Sequence, residues 1–187
     1  RLLVLGGSQV ARQINSLVPA ALARLAAAGL ADPGRLKVLH QAGAKNVAET
    51  AEAYRAAGVS RSLVEIVPFL EDVAAEMAAS HLLISRAGAI TAAEICAAGR
   101  PALFLPLAIA QGHQVENAEL LAAAGAAELL VGDGATAEAL ADRLKNLLGN
   151  GERLAEMGRA ARRLAKPGAV AAIADELTYL AQRRGRR

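Results

Sequence analysis

Aromatic residues are nearly missing from this chain: Phe69, Phe104, Tyr54 and Tyr179 are all it has, and there is no tryptophan. Modules that stack sugars on aromatic platforms, and single-strand nucleic-acid binders that stack bases, need more rings than this. Cysteine is as scarce. Cys96 is alone, which excludes an internal disulfide framework and suits a reducing compartment. It sits in the apolar helical stretch Ile95-Cys96-Ala97-Ala98, where packing is the expected role rather than nucleophilic chemistry. No apolar run reaches membrane length and no leader pattern appears. The dinucleotide fingerprint G-x-G-x-x-G is lacking, and the second strand ends in His40-Gln41 rather than the acid expected beside a ribose, so NAD is disfavoured. His40 and His81 stand at no ligand spacing from a carboxylate or the cysteine, so no metal site is expected.

What is present suffices for one sizeable core: 187 residues, 54% of them hydrophobic. One domain over 1–187 is the expectation. The chain opens without Met, directly in the strand Leu2–Leu5, as the interior of a larger protein would. Net charge is +3, and four of the 21 basic residues (Arg183, Arg184, Arg186 and Arg187) fall in the last five positions; the rest balance the 18 acidic ones almost evenly. Such a tail suits either an anionic surface or simple solvation at a frayed end.

Apolar runs of strand length alternate with helical patterns, which predicts an α/β fold: a Rossmann-like parallel sheet of about six strands flanked by helices. Strands are expected at Leu2–Leu5, Leu36–His40, Leu63–Val67, Leu82–Ser85, Ala102–Leu105 and Ala127–Val131. Helices are expected between them, and the one after the fourth strand is placed to begin at Thr91. Ligands of such sheets bind outside the carboxyl ends of the strands. The segments leaving that edge are Gly6-Gly7-Ser8, Gln41-Ala42-Gly43, Phe69-Leu70, Gly88 to Glu94, and His113 to Asn117.

Gly6-Gly7-Ser8 lets backbone approach a phosphate with the Ser8 hydroxyl as donor; an ordinary strand-to-helix turn capped by Ser8 reads equally well. Gly88 opens the most informative turn. Unpaired N–H groups and the helix dipole behind it favour an anion, while Glu94, one turn in, suits neutral hydroxyls such as a ribose diol. The alternative is a capping box in which Glu94 folds back on the helix start. Phe69-Leu70 suits either the wall of a planar base or packing at a helix entry. Gln114 and Asn117 share a helical face, where neutral amides suit sugar hydroxyls or solvent. His113 is a base by residue type, with no carboxylate evident to orient it.

The blocks Leu5-Gly6-Gly7-Ser8-Gln9, His40-Gln41-Ala42-Gly43, Pro68-Phe69-Leu70-Glu71-Asp72, Ser85 to Glu94 and His113-Gln114-Val115-Glu116-Asn117-Ala118 occur in this order. Together they resemble the C-terminal, nucleotide-sugar-binding half of the MurG family of bacterial peptidoglycan glycosyltransferases, over essentially the whole chain. The resemblance implies one half of a GT-B fold, with the N-terminal acceptor domain and the catalytic base outside this chain. It implies an inverting hexosyltransferase that moves GlcNAc from UDP-GlcNAc to the MurNAc C4 hydroxyl of lipid I, making lipid II for cell-wall biogenesis. By matching position, Ser8 meets the α-phosphate and the Leu70 backbone reads uracil. Ala89, Ile90 and Thr91 hold the diphosphate with Gly6, Gly7 and Gly88 as the phosphate loops, Glu94 holds the ribose, and Gln114, with Asn117, holds GlcNAc. No cofactor, metal or nucleic acid is implied, in keeping with the lack of an Asp-x-Asp pair. Peripheral attachment to the cytoplasmic face of the inner membrane is. Val10 and Gly112 depart from the family's usual glycine and acidic residue. Alternatives are a UDP-GlcNAc 2-epimerase, which would want a second acid beside Glu94, and a non-enzymatic nucleotide-sugar-binding module.

Overall fold

The computed structural model describes residues 1–6, 12–106 and 113–184, with the side chains of Arg183 and Arg184 left out. Six short strands are found: β1 (Leu2–Leu5), β2 (Val38–Gln41), β3 (Val64–Val67), β4 (Leu82–Ser85), β5 (Ala102–Phe104) and β6 (Ala127–Leu129). They form one parallel sheet in the order β3-β2-β1-β4-β5-β6. Helices α1 (Arg12–Ala27), α2 (Val47–Ala56), α3 (Val73–Ala79), α4 (Ala89–Ala98), α5 (His113–Ala123) and α6 (Ala137–Leu148) link and follow the strands, then α7 (Gly151–Leu164) and α8 (Ala169–Arg184).

The central strands carry apolar residues at consecutive positions because both faces of the sheet are covered. Leu2 and Val4, Leu82 and Ile84, and Leu103 point to one side, into a core with Ile14, Val18 and Leu22 of α1, Tyr54 of α2, and Leu140 and Leu144 of α6. Leu3, Leu83, Ala102 and Phe104 point to the other, against Met77 of α3, Ile95 and Cys96 of α4, and Ala118 and Leu121 of α5. Cys96 is a buried free thiol and burial pushes its pKa up, as a packing role requires.

α7 crosses beneath the sheet and gives residues to both cores, Met157 to the first and Ala160 and Ala161 to the second. It also fixes α4 from below. A Cβ on Gly158 would stand 2.8 Å from the Gly99 carbonyl, so this approach needs glycine. Gly99 ends α4 in the left-handed conformation at φ 63°, and Arg162 donates to the carbonyls of Ala97 at 2.6 Å and Ala98 at 3.3 Å. The C-terminal end of α4 is thus tied down by three devices, and its other end faces the carboxyl edge of the sheet. α8 is exposed from Ala169 to Gln182, with Val170, Ile173 and Leu177 all more than half exposed on one stripe.

Candidate functional site

Strand order reverses between β1 and β4. The chain leaves β1 toward β2 on one side and leaves β4 toward β5 on the other, so a crevice opens at the carboxyl ends of these two neighbours. Gly6 ends β1 there, its buried N–H donating to the Gln41 carbonyl at 2.9 Å. Gly7, Ser8 and Val10, like Gly112, lie outside the described residues.

Gly88 ends the turn after β4 and is the N-cap of α4, with φ −61° and ψ 145°. Any residue adopts that conformation, and a Cβ there would meet nothing within 4 Å. Neither backbone strain nor packing asks for glycine here; what it provides is open approach and a cap without a side chain. α3, α6 and α7 begin under the side chains of Asp72, Thr136 and Asn150, whereas no side chain caps α4, nor α2, whose N-cap residue is Asn46. The first intrahelical bond runs from Ala92 N–H to the Gly88 carbonyl at 2.8 Å, so the amides of Ala89, Ile90 and Thr91 precede the ladder. Ala89 and Ile90 are exposed and Thr91 is half-buried.

The helix therefore starts two residues earlier than the Thr91 expected from sequence, and this settles the capping-box alternative. With Gly88 as cap, the third helical position is Thr91 itself, and Glu94 lies a full turn too late to return to the helix start. Glu94 is exposed on the face it shares with Thr91, three residues away.

Asn117 has a definite partner: its Nδ2 donates to the Ala87 carbonyl at 3.0 Å, binding α5 to the β4–α4 turn. Gln114 is half-buried one turn earlier on that same face. His113 is exposed, and contrary to expectation a carboxylate does stand near it: Glu116 Oε2 is 3.7 Å from Nδ1, with both side chains more than 70% exposed. Exposed pairs of this kind contribute little. Leu70 packs against the second core while Phe69 beside it is 61% exposed.

Two residues at this edge were given no role from sequence. Arg86 donates to the Leu105 carbonyl and, at 3.0 Å, to Gln13 Oε1, so a half-buried guanidinium ties β4, β5 and α1 together, its pKa lowered by burial. Gln41 Nε2 donates to the Pro68 carbonyl at 3.3 Å. The signals available were an arginine placed directly between strand and glycine turn, and Gln41's place at the head of the Gln41-Ala42-Gly43 edge segment, which marked the position without giving the side chain a task. A cavity of about 750 Å³ opens at the opposite, amino edge, between Leu36, His81, Pro101 and α7. It contains none of the residues named for the site. Among the described residues no group of His, Cys, Asp and Glu could hold a metal ion.

A family model, the glycosyltransferase family 28 C-terminal domain, matches residues 1–174. The chain belongs to this family. The Halorhodospira halophila UDP-N-acetylglucosamine–N-acetylmuramyl-(pentapeptide) pyrophosphoryl-undecaprenol N-acetylglucosamine transferase is 45% identical over 183 residues, 96% of this chain and 49% of the relative. The transferase of the same name from Azotobacter vinelandii is 46% identical over 176 residues, 94% of this chain and 47% of the relative. Among solved structures, that of Acinetobacter baumannii MurG superposes with a TM-score of 0.84 at 34% identity, covering 96% of this chain and 49% of that one. The chain thus spans about half the length of the relatives it matches, and it has the six-stranded fold of half a GT-B enzyme, as its sequence resemblance implied.

Proposed function

We propose that this family 28 domain binds the donor UDP-GlcNAc of an inverting N-acetylglucosaminyltransferase of peptidoglycan synthesis. The uncapped N-terminus of α4 at the switch point, with Glu94 exposed one turn inside it, carries this reading. The amides of Ala89, Ile90 and Thr91 and the Thr91 hydroxyl meet the diphosphate, Gly6, Gly7 and Ser8 approach it from β1, and Gly88 keeps the path clear. Glu94 accepts from the ribose hydroxyls, the Leu70 backbone reads uracil, and Gln114 holds GlcNAc hydroxyls. Asn117 serves by holding the turn at Ala87, and contact with the sugar is its second, weaker task.

The chemistry follows from charge. As the acceptor hydroxyl attacks the anomeric carbon and the glycosidic bond breaks, negative charge grows on the departing UDP. Donors fixed at a helix terminus stabilise that charge without reorganising; removing one fixed oxyanion-hole donor from a well-studied protease costs about 3 kcal/mol. The deprotonating base and the acceptor surface for lipid I belong to a separate N-terminal half, so residues 1–187 form a single donor domain that is silent alone. The relatives' named substrate is undecaprenol-linked, which supports peripheral work at a membrane surface; we assign that work to the cytoplasmic face of the inner membrane. No helix among the described residues is long and apolar enough to cross a membrane. The transferase reading is preferred to a 2-epimerase because the named relatives are transferases and Glu94 is flanked by Ala93 and Ile95. Calorimetric titration tests the reading: UDP binds, UDP-GlcNAc binds at least as tightly, and UDP-GalNAc binds less well. Failure to bind UDP refutes it.

A further inference from the structure

His40 is fully buried near the end of β2, and its ring joins two helices. Nδ1 lies 2.8 Å from the Tyr54 hydroxyl on α2, and Nε2 lies 3.0 Å from Asn15 Oδ1 on α1. The far end of the relay fixes its protons. The Ala42 carbonyl can only accept, so Asn15 turns Nδ2 to it, at 3.1 Å, and leaves Oδ1 facing the ring. A flipped amide would set two acceptors together. His40 Nε2 therefore carries the proton, Nδ1 accepts, and the Tyr54 hydroxyl donates. Burial holds the ring neutral, with its pKa lowered to about 4, and pushes the Tyr54 phenol up, so the relay keeps one protonation state at neutral pH.

The relay ends at a segment of the site edge that bonds both to Gly6 and to the end of β3. Ala42 takes a second amide from Asn46 Nδ2 at 3.1 Å and gives its own N–H to the Val67 carbonyl at 2.9 Å. Its neighbour Gln41 accepts from Gly6 N–H at 2.9 Å through its carbonyl, and its side chain holds Pro68. Gly6 starts the β1 loop and Pro68 precedes Phe69-Leu70. Hence one buried anchor sits between the loop assigned to phosphate and the segment assigned to the base.

We propose that Asn15, His40 and Tyr54 are positioning residues that set the spacing between the Gly6 turn and the Pro68–Leu70 segment, and thereby the grip on both ends of a uridine diphosphate. The inference rests on the UDP reading above. Its test uses Asn15→Leu, which keeps the side-chain volume and removes both amide bonds, and Tyr54→Phe, which removes only the hydroxyl. Leu144→Ala in α6, remote from this edge, serves as a destabilised control. UDP affinity is measured where every variant is fully folded, and amide exchange at Gly6 and Ala42 is followed without ligand.

Asn15→Leu is expected to weaken UDP binding about tenfold or more and to speed exchange at both amides. Tyr54→Phe gives a smaller change of the same kind, and the control lowers Tm with UDP affinity unchanged. Asn15→Leu that lowers Tm yet binds UDP like the wild type overturns the inference and leaves the UDP reading intact. A wild-type chain that fails to bind UDP overturns the reading itself, and the inference with it.

Discussion

Side chains with the same letter do different work here according to what surrounds them. His113 is exposed beside an exposed glutamate, whereas His40 is sealed between Tyr54 and Asn15. In the unfolded chain His40 takes a proton near pH 6.5, while the folded protein refuses it until about pH 4. Between those values the unfolded state binds more protons, so stability rises with pH, and it is lost as pH falls from about 6.5 toward 4. The full loss is about 3 kcal/mol by the size of that shift, and roughly 2 of it falls between pH 7 and pH 5. Urea unfolding at pH 7 and pH 5 checks this; equal stability at the two values contradicts the buried neutral ring. None of this was legible in the letters, because the partners of His40 are 14 and 25 residues away and become neighbours only when α1 and α2 pack on β2.

Among the elements, α4 is held firmly at one end and left open at the other. Gly99, Gly158 and Arg162 secure its C-terminus, while Gly88 offers its N-terminus no side-chain acceptor. A serine at Gly88 would supply that acceptor. Gly88→Ser is expected to leave stability level or raise it by a few tenths of a kcal/mol, and to weaken UDP binding by competing for the same N–H groups. Thermal melts and titration of this variant check both signs; unchanged affinity would remove the diphosphate from this helix. The same feature explains why sequence reading placed the helix start late. Ala89 and Ile90 carry no capping signal, Thr91 does, and a cap that consists of bare backbone has no letter to read. The positions of β1 and β4 were plain, since Leu2–Leu5 and Leu82–Ser85 are apolar runs bounded by turns and buried on both faces, whereas β2 starts two residues later and β6 ends two residues earlier than expected. The partner of Asn117 was not, because it is a backbone carbonyl 30 residues away.

For the whole molecule, the strand order β3-β2-β1-β4-β5-β6 puts the Gly6 and Gly88 turns side by side, and everything assigned to the donor depends on that juxtaposition. The sequence announced a parallel sheet and five suggestive segments at one edge; which strands are neighbours came only from the structure. The sharpest claim is that Glu94 holds the ribose while the helix start holds the diphosphate. The wild-type chain and Glu94→Ala should be titrated with UDP and with 2′,3′-dideoxy-UDP. Losing either the carboxylate or the hydroxyls is expected to cost about 1.5–3 kcal/mol, and losing both little more than losing one. Additive losses, or a Glu94→Ala chain that binds UDP as the wild type does, would contradict the assignment.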